Sequence, residues 1–189
     1  MINEAAVAVF CGSKEGSDAL FMQHASQLGV LLAKHGIALV YGGGSKGLMG
    51  AIADSMMENQ GRVIGIIPEK LVEWEHQHEH ITELVVVTDM HTRKKKMYEL
   101  CRAAIILPGG FGTLDELFEL LTWNQLAIHD KPIYILNTHG FYDHLIMHIH
   151  RLEEHGFLYD RIEDRIRVFQ EPASLVDSIR TVLIPASLE

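Results

Sequence analysis

The segment Pro108-Gly109-Gly110-Phe111-Gly112-Thr113-Leu114-Asp115-Glu116 joins a glycine turn to an acid. It follows a short apolar run, Ala103-Ala104-Ile105-Ile106-Leu107, and leads into an apolar-periodic stretch from Leu117 to Leu126. That order is strand, glycine turn, helix. Glycines there let backbone N–H groups approach a ligand without interference from a Cβ. The helix start adds N–H groups without intrahelical partners and the positive end of the helix dipole, which together favour an anion such as phosphate. A phosphate cradle alone has no need of the carboxylate that ends the motif. The pairing points to chemistry on a phosphorylated substrate. A second cluster, Gly42-Gly43-Gly44-Ser45-Lys46-Gly47, also sits between an apolar run (Ile37 to Tyr41) and a helix-like stretch (Leu48 to Ala53). In an open parallel sheet ligands bind at the carboxyl ends of strands, so both loops can line one crevice.

Each motif has a second reading. Gly42-x-Gly44-x-x-Gly47 matches the dinucleotide fingerprint, with Glu69 after the next strand where a ribose-binding acid would sit. It equally fits a mononucleotide or sugar loop, or a tight turn. It is not a Walker A loop, because Leu48 stands where lysine is required. Thr113-Leu114-Asp115-Glu116 is a Ser/Thr-x-x-Glu capping box, so Thr113 is either a helix cap or a phosphate ligand, and Glu116 either a capping partner or a catalytic acid. Arg93 opens the run Arg93-Lys94-Lys95-Lys96. It reads as a solvated helix residue or as a holder of phosphate or leaving group. His144 and His148 stand four apart, but no Glu follows His144 as a hydrolytic zinc helix requires. No metal is expected.

The elements that must position these groups alternate regularly. Apolar strands are expected over Ala5 to Cys11, Ile37 to Tyr41, Val63 to Ile67, Leu84 to Val87, Ala103 to Leu107, Pro132 to Leu136 and Ile166 to Phe169. Near-continuous apolar runs of this kind are those of parallel strands buried on both faces. Helices are expected from a Ser17 cap to about His35, from the first glycine cluster to about Gln60, from Thr92 to Arg102, through the Leu117 stretch, from Tyr142 to His155, and from Pro172 at the first helical position to about Leu183. The acidic, histidine-rich stretch Glu69 to Ile81 is too polar for a core element and reads as loop. The rhythm is that of an α/β fold with a doubly wound parallel sheet.

The chain has 189 residues, 48% of them hydrophobic, which suits one domain over residues 1–189. A net charge of −9 argues against a nucleic-acid partner, which needs a basic face. No apolar run approaches the ~18 residues that span a membrane. Met1-Ile2-Asn3-Glu4 lacks the basic start of a secretion signal. Cys11 and Cys101 have no metal-like spacing and read as reduced, buried thiols. A cytoplasmic protein without membrane or nucleic-acid partners is expected.

Three motifs together resemble one family. They are Tyr41 to Gly50, Asp89-Met90-His91-Thr92-Arg93-Lys94 with Met97, and Pro108 to Glu116. The chain looks like the LOG (lonely guy) family of cytokinin riboside 5'-monophosphate phosphoribohydrolases over nearly its whole length, including Cys11-Gly12-Ser13 and Leu121 to Leu126. Members are often labelled lysine decarboxylases, but no lysine in a pyridoxal phosphate context is evident. The resemblance implies a Rossmann-like single domain, usually a homodimer, that hydrolyses the N-glycosidic bond of a nucleoside 5'-monophosphate to free base and ribose 5-phosphate. It implies a catalytic pair, Arg93 and Glu116. It implies a phosphate loop at Gly109, Gly110, Gly112 and Thr113, with Phe111 where the family often has tyrosine. Further substrate contacts are implied at Ser13, Gly43, Gly44, Lys94 and Thr122, and at Glu75 with Glu73 and Glu79 as neighbours able to take its place. No cofactor is implied. A dinucleotide-dependent oxidoreductase using the Gly42 loop and a non-catalytic nucleotide-binding module are the competing functions.

Overall fold

In the strands of this chain almost every residue is apolar on both faces, so each must be covered on both sides. Five strands are buried along their whole length: β1 (Ala6–Phe10), β2 (Ala38–Tyr41), β3 (Val63–Pro68), β5 (Ala103–Ile106) and β6 (Ile133–Leu136). The computed structural model describes residues 5–72 and 76–183. With β4 (Glu83–Val87) and β7 (Ile166–Phe169) at the partly exposed edges, the strands form one parallel sheet in the order β4-β3-β2-β1-β5-β6-β7. Among the described residues six α-helices cover it: α1 (Ala19–Lys34), α2 (Gly47–Glu58), α3 (Met90–Leu100), α4 (Phe111–Gln125), α5 (Asp143–Glu154) and α6 (Pro172–Leu183).

Strand alternation divides the core in two. Val7 and Val9 of β1 join a cluster with Leu28, Ile52 and Ile179 of α1, α2 and α6. Ala6, Ala8 and Phe10 join the opposite cluster with Met97, Leu117 and Ile149 of α3, α4 and α5. The result is a three-layer sandwich of Rossmann type. The contact between α1 and α2 is close enough to involve backbone: a methyl at Gly29 would lie 2.7 Å from the Ile52 carbonyl oxygen. Among the described residues, no helix is long and apolar enough to cross a membrane.

The expected elements are present, with helix starts displaced. Asp18, not Ser17, caps α1, accepting the Leu20 amide at 2.9 Å. A carboxylate is as good a cap as a hydroxyl, and Asp18 also pairs with His139 at 2.6 Å. α3 begins at Met90 behind an Asp89 cap rather than at Thr92. The Thr92 amide, and then the hydroxyls of Thr88 and Thr92, hold the Asp89 carboxyl at about 2. α4 begins at Phe111 with Gly110 at its cap, three residues before the expected Thr113. The stretch from Glu69 is more structured than its polarity suggests. After a single 3-10 turn, Glu69–Leu71, the chain returns to the Gly42 loop: the His78 amide donates to the Gly43 carbonyl at 2.9 Å, and Gln77 bridges Gly44. His78 is buried because both ring nitrogens are satisfied, Nε2 by Asp54 at 2.9 Å and Nδ1 by the His80 amide at 3.2 Å.

Candidate active site

The strand order reverses between β1 and β5. The chain winds outward to β4 on one side and to β7 on the other, so the two loops leaving β1 and β5 diverge and leave a crevice between them. Open α/β sheets bind ligands at this switch point. The loops are tied at their base, where the Gly12 amide donates to the Pro108 carbonyl at 3.0 Å. The end of β5 is further fixed by the Tyr142 hydroxyl, which donates to the Leu107 carbonyl at 2.7 Å. Burial pushes that phenol well above its ordinary range and keeps it a donor.

A cavity of about 540 Å³ opens at this point, of the size that takes a small ligand. Its floor and one wall are the β1 loop, Cys11 to Gly16. The opposite wall is Pro108 to Thr113 with Glu116. The start of α3 supplies Met90 and Arg93, and the start of α2 supplies Leu48 and Met49. Phe21 and Phe141 close one side and pack edge-to-face at 5.5 Å.

The β5 loop has the form of an anion cradle. The first intrahelical bond of α4 is Leu114 N–H to the Gly110 carbonyl, so the amides of Phe111, Gly112 and Thr113 precede the helical ladder. Nothing lies within 4 Å of where a Cβ would stand on Gly110 or Gly112. Gly109 is different. A methyl there would overlap Thr113 Oγ1 and come within 2.6 Å of its Cβ, so the turn closes around the buried Thr113 side chain. Thr113 is thus the third residue of α4 and not its cap, and Gly110, which has no side chain, makes no side-chain cap bond. Glu116 lies in the second turn, half-buried, on the cavity wall. The capping box read from Thr113 to Glu116 is therefore not formed.

Arg93 is 5% exposed, deep for an arginine. Its Nη1 lies 3.7 Å from the Met90 sulfur. The basic run divides by helical geometry. Arg93 faces the cavity, and Lys95 points to solvent near Glu99. Lys94 turns to α4, where its ammonium meets Asp115 at 3.0 Å and Glu119 at 2.8 Å. Burial opposes the Lys94 charge, but these hydrogen bonds outweigh it and raise the ammonium above its ordinary value.

Of the residues picked from sequence, Arg93, Glu116, Ser13, Gly109, Gly110, Phe111, Gly112 and Thr113 line this one cavity. Lys94 is held by α4 acids instead. Thr122 is roughly 13 Å further along α4 than Thr113. Its hydroxyl donates to the Phe118 carbonyl at 2.7 Å, and it lines a separate groove against α5. Gly43 and Gly44 do not line the cavity. Gly43, at φ +80°, packs on Ile67 and Leu84 and, with Gly44, seats the 76–78 segment. Glu75 and Glu73 lie outside the described residues, and Glu79 is exposed.

Sequence reading missed Lys14, Glu15, Met49 and Met90 on the lining. Lys14 and Glu15 follow β1, Met90 opens α3 beside Arg93 and Met49 opens α2, positions that have meaning only once the strand order is known. His144 and His148 are exposed on α5. Among the described residues the group of potential metal ligands is His150, Glu153 and Glu163, with ligand atoms within 4.8 Å of one another. His150 and Glu153 lie in the last turns of α5 and Glu163 just before β7, and none of them lines the cavity.

A family model described as "Possible lysine decarboxylase" matches residues 49–179. The probable cytokinin riboside 5'-monophosphate phosphoribohydrolase LOGL1 of Oryza sativa is 46% identical over 152 residues, covering 80% of this chain and 68% of the rice protein. The cytokinin riboside 5'-monophosphate phosphoribohydrolase LOG1 of Arabidopsis thaliana is 45% identical over 152 residues, covering 80% and 71%. Among solved structures, the molybdenum cofactor carrier protein of Chlamydomonas reinhardtii superposes with a TM-score of 0.73 at 19% identity, over 96% of this chain and 99% of that one. The likeness at that identity is one of fold. With relatives this similar over four-fifths of its length, the chain belongs to the LOG family, that of the cytokinin riboside 5'-monophosphate phosphoribohydrolases.

Proposed function

We propose that the protein hydrolyses the N-glycosidic bond of adenine-type nucleoside 5'-monophosphates, a cytokinin riboside 5'-monophosphate or AMP, releasing free base and ribose 5-phosphate. The observation that carries this reading is the sharing of one cavity by an anion cradle at the start of α4, a carboxylate one turn later and a buried guanidinium opposite. The named activity of relatives at 45–46% identity agrees with it.

The chemistry assigns roles to these groups. The bond between C1' and the base nitrogen breaks as water oxygen adds to C1', and the departing base takes up a proton. The transition state is oxocarbenium-like, and a nearby carboxylate stabilises it. Glu116 fills that role by charge, by orienting the ribose hydroxyls or by activating the water. Arg93 holds the phosphate or stabilises the departing base. The amides from Gly110 to Thr113 hold the 5'-phosphate, and that remote binding positions the sugar. Ser13 and Phe111 contact substrate from the rim. The reaction requires neither metal nor organic cofactor. Pyridoxal phosphate, which the decarboxylase description would imply, does not fit: Lys14, the lysine among the described lining residues, is exposed on the rim. The oxidoreductase reading is disfavoured because Gly43 and Gly44 are occupied by the 76–78 segment.

Incubation with AMP and with isopentenyladenosine monophosphate is expected to yield free base and ribose 5-phosphate by chromatography. Folded protein that releases no base from either would leave the non-catalytic nucleotide-binding reading in its place.

We also propose a cytoplasmic homodimer. The two cysteines are free and buried, as suits a reducing compartment. The apolar residues Leu120, Trp123, Leu126 and Ile128, in and just after α4, are the contact surface that the sequence offers. Leu120 is core and Trp123 packs edge-to-face on Tyr98 at 5.4 Å, leaving Leu126 (61% exposed) and Ile128 (63%) with Phe118 at the surface. Light scattering at micromolar concentration is expected to give twice the 21.3 kDa chain mass. A monomer mass would refute the dimer.

A further inference from the structure

Gly42 touches no cavity space, yet what it lacks shapes the cavity. It follows β2 directly, and its Cα faces the Arg93 guanidinium. A Cβ built there would overlap Arg93 Nη2 outright and lie 3.1 Å from both Arg93 Cζ and the Met49 sulfur. The backbone does not demand glycine here. Gly43 and Gly47 in the same loop have positive φ, whereas Gly42 does not. Nor is backbone the obstacle, because the nearest atoms are all ends of flexible side chains. What requires the bare Cα is the room the guanidinium takes.

The guanidinium thus lies over Gly42, with Nη1 3.7 Å from the Met90 sulfur, while the Met49 sulfur flanks the same glycine. Thioethers are polarizable and adaptable in packing, so they follow the guanidinium and do not fix its depth. We propose that Gly42 is a positioning residue for the hydrolysis: its missing side chain is the seat that sets the depth and direction of Arg93. This inference rests on the proposed role of Arg93 in that reaction. Any Cβ at position 42 pushes the guanidinium off its seat and into the space the substrate needs, by on the order of 1 Å, and a misplacement of that size costs roughly 10²-fold in rate.

The test compares wild type, Gly42→Ala, Arg93→Ala and the double variant, reading kcat/KM for AMP, Kd for AMP by calorimetry, and Tm. Gly42→Ala is expected to lose roughly 10²-fold in kcat/KM with Tm moved by less than about 4 °C. In the Arg93→Ala background the same methyl meets no guanidinium and is expected to change neither kcat/KM nor Kd, a non-additivity that a general loop defect would not produce. Should Gly42→Ala prove poorly folded, the double variant is expected to regain the Tm of Arg93→Ala. A full-size Gly42→Ala effect in the Arg93→Ala background overturns the inference. So does a Gly42→Ala crystal structure with the guanidinium in its wild-type place. A wild type that binds AMP without turnover sinks the proposed reaction instead, and the crystal structure and the Kd cycle still decide the seat.

Discussion

Replacing Glu116 by glutamine is expected to lower kcat by roughly 10²–10⁴-fold, the range for losing a group that transfers a proton or stabilises transition-state charge. The fold should persist. Glutamine nearly matches glutamate in size and helix propensity, and the N-terminus of α4 does not depend on the carboxylate, since its cap is Gly110. Loss of a negative charge near a helix start costs only a few tenths of a kcal/mol. Base release and thermal unfolding, measured on the same preparation, separate the two roles. A rate near wild type would return Glu116 to a structural part. A large fall in Tm with proportionate loss of rate would mean that the carboxylate serves packing in the second turn of α4. The expected pattern is loss of rate alone. Arg93→Lys should behave similarly, because a single ammonium cannot reproduce the planar guanidinium that lies over Gly42.

The structural ambiguity of Glu116 shows what the sequence could and could not say. The five fully buried strands were legible because each is an apolar run with no charged residue to place, and a parallel strand covered on both faces has that signature. Helix starts were less so. Ser17 and Asp18 are both able caps, and nothing local ranks them; Asp18 prevails with His139 as a second partner. At Thr113 a well-formed capping box pointed three residues too far along. Gly110 and Gly112 let the chain enter the helix directly from β5, and Thr113 is drawn in against Gly109.

The two glycine loops looked alike in sequence, but one faces the cavity and the other receives the 76–78 segment. Glycine clustering reports room at the backbone and does not say for what: the open cavity at Gly110 and Gly112, a guanidinium at Gly42, the chain itself at Gly43 and Gly44. Strand order decides such cases. It depends on long-range pairings such as Val7 with Ala103, which no local pattern encodes. Arg93 was found by family resemblance. By pattern alone it is the first of four cations on a helix, and its burial becomes visible only where α3 crosses the end of β2.

A preference for a phosphorylated substrate is expected from the same geometry. An unphosphorylated nucleoside offers the amides of Gly110 to Thr113 no acceptor, and donors that a bound ligand covers without pairing are costly. Several kcal/mol lost in this way corresponds to a preference of roughly 10²-fold or more in kcat/KM for AMP over adenosine. Gly112→Ala probes the cradle cleanly. Gly112 is not left-handed and nothing in the protein lies within 4 Å of the new methyl, so the variant strains neither turn nor packing. In a helix, alanine in place of glycine is favourable by up to ~1 kcal/mol, so Tm should hold or rise. The methyl meets only what the amides hold. The expected result is a fall in kcat/KM for AMP with little change for adenosine, which narrows the ratio. Gly109→Ala gives the contrast: its methyl collides with Thr113, so both substrates and Tm should suffer together. Equal kcat/KM for AMP and adenosine in the wild type would show that the start of α4 does not hold the phosphate, and the anion cradle would then have to be sought elsewhere around the β1–β5 crevice.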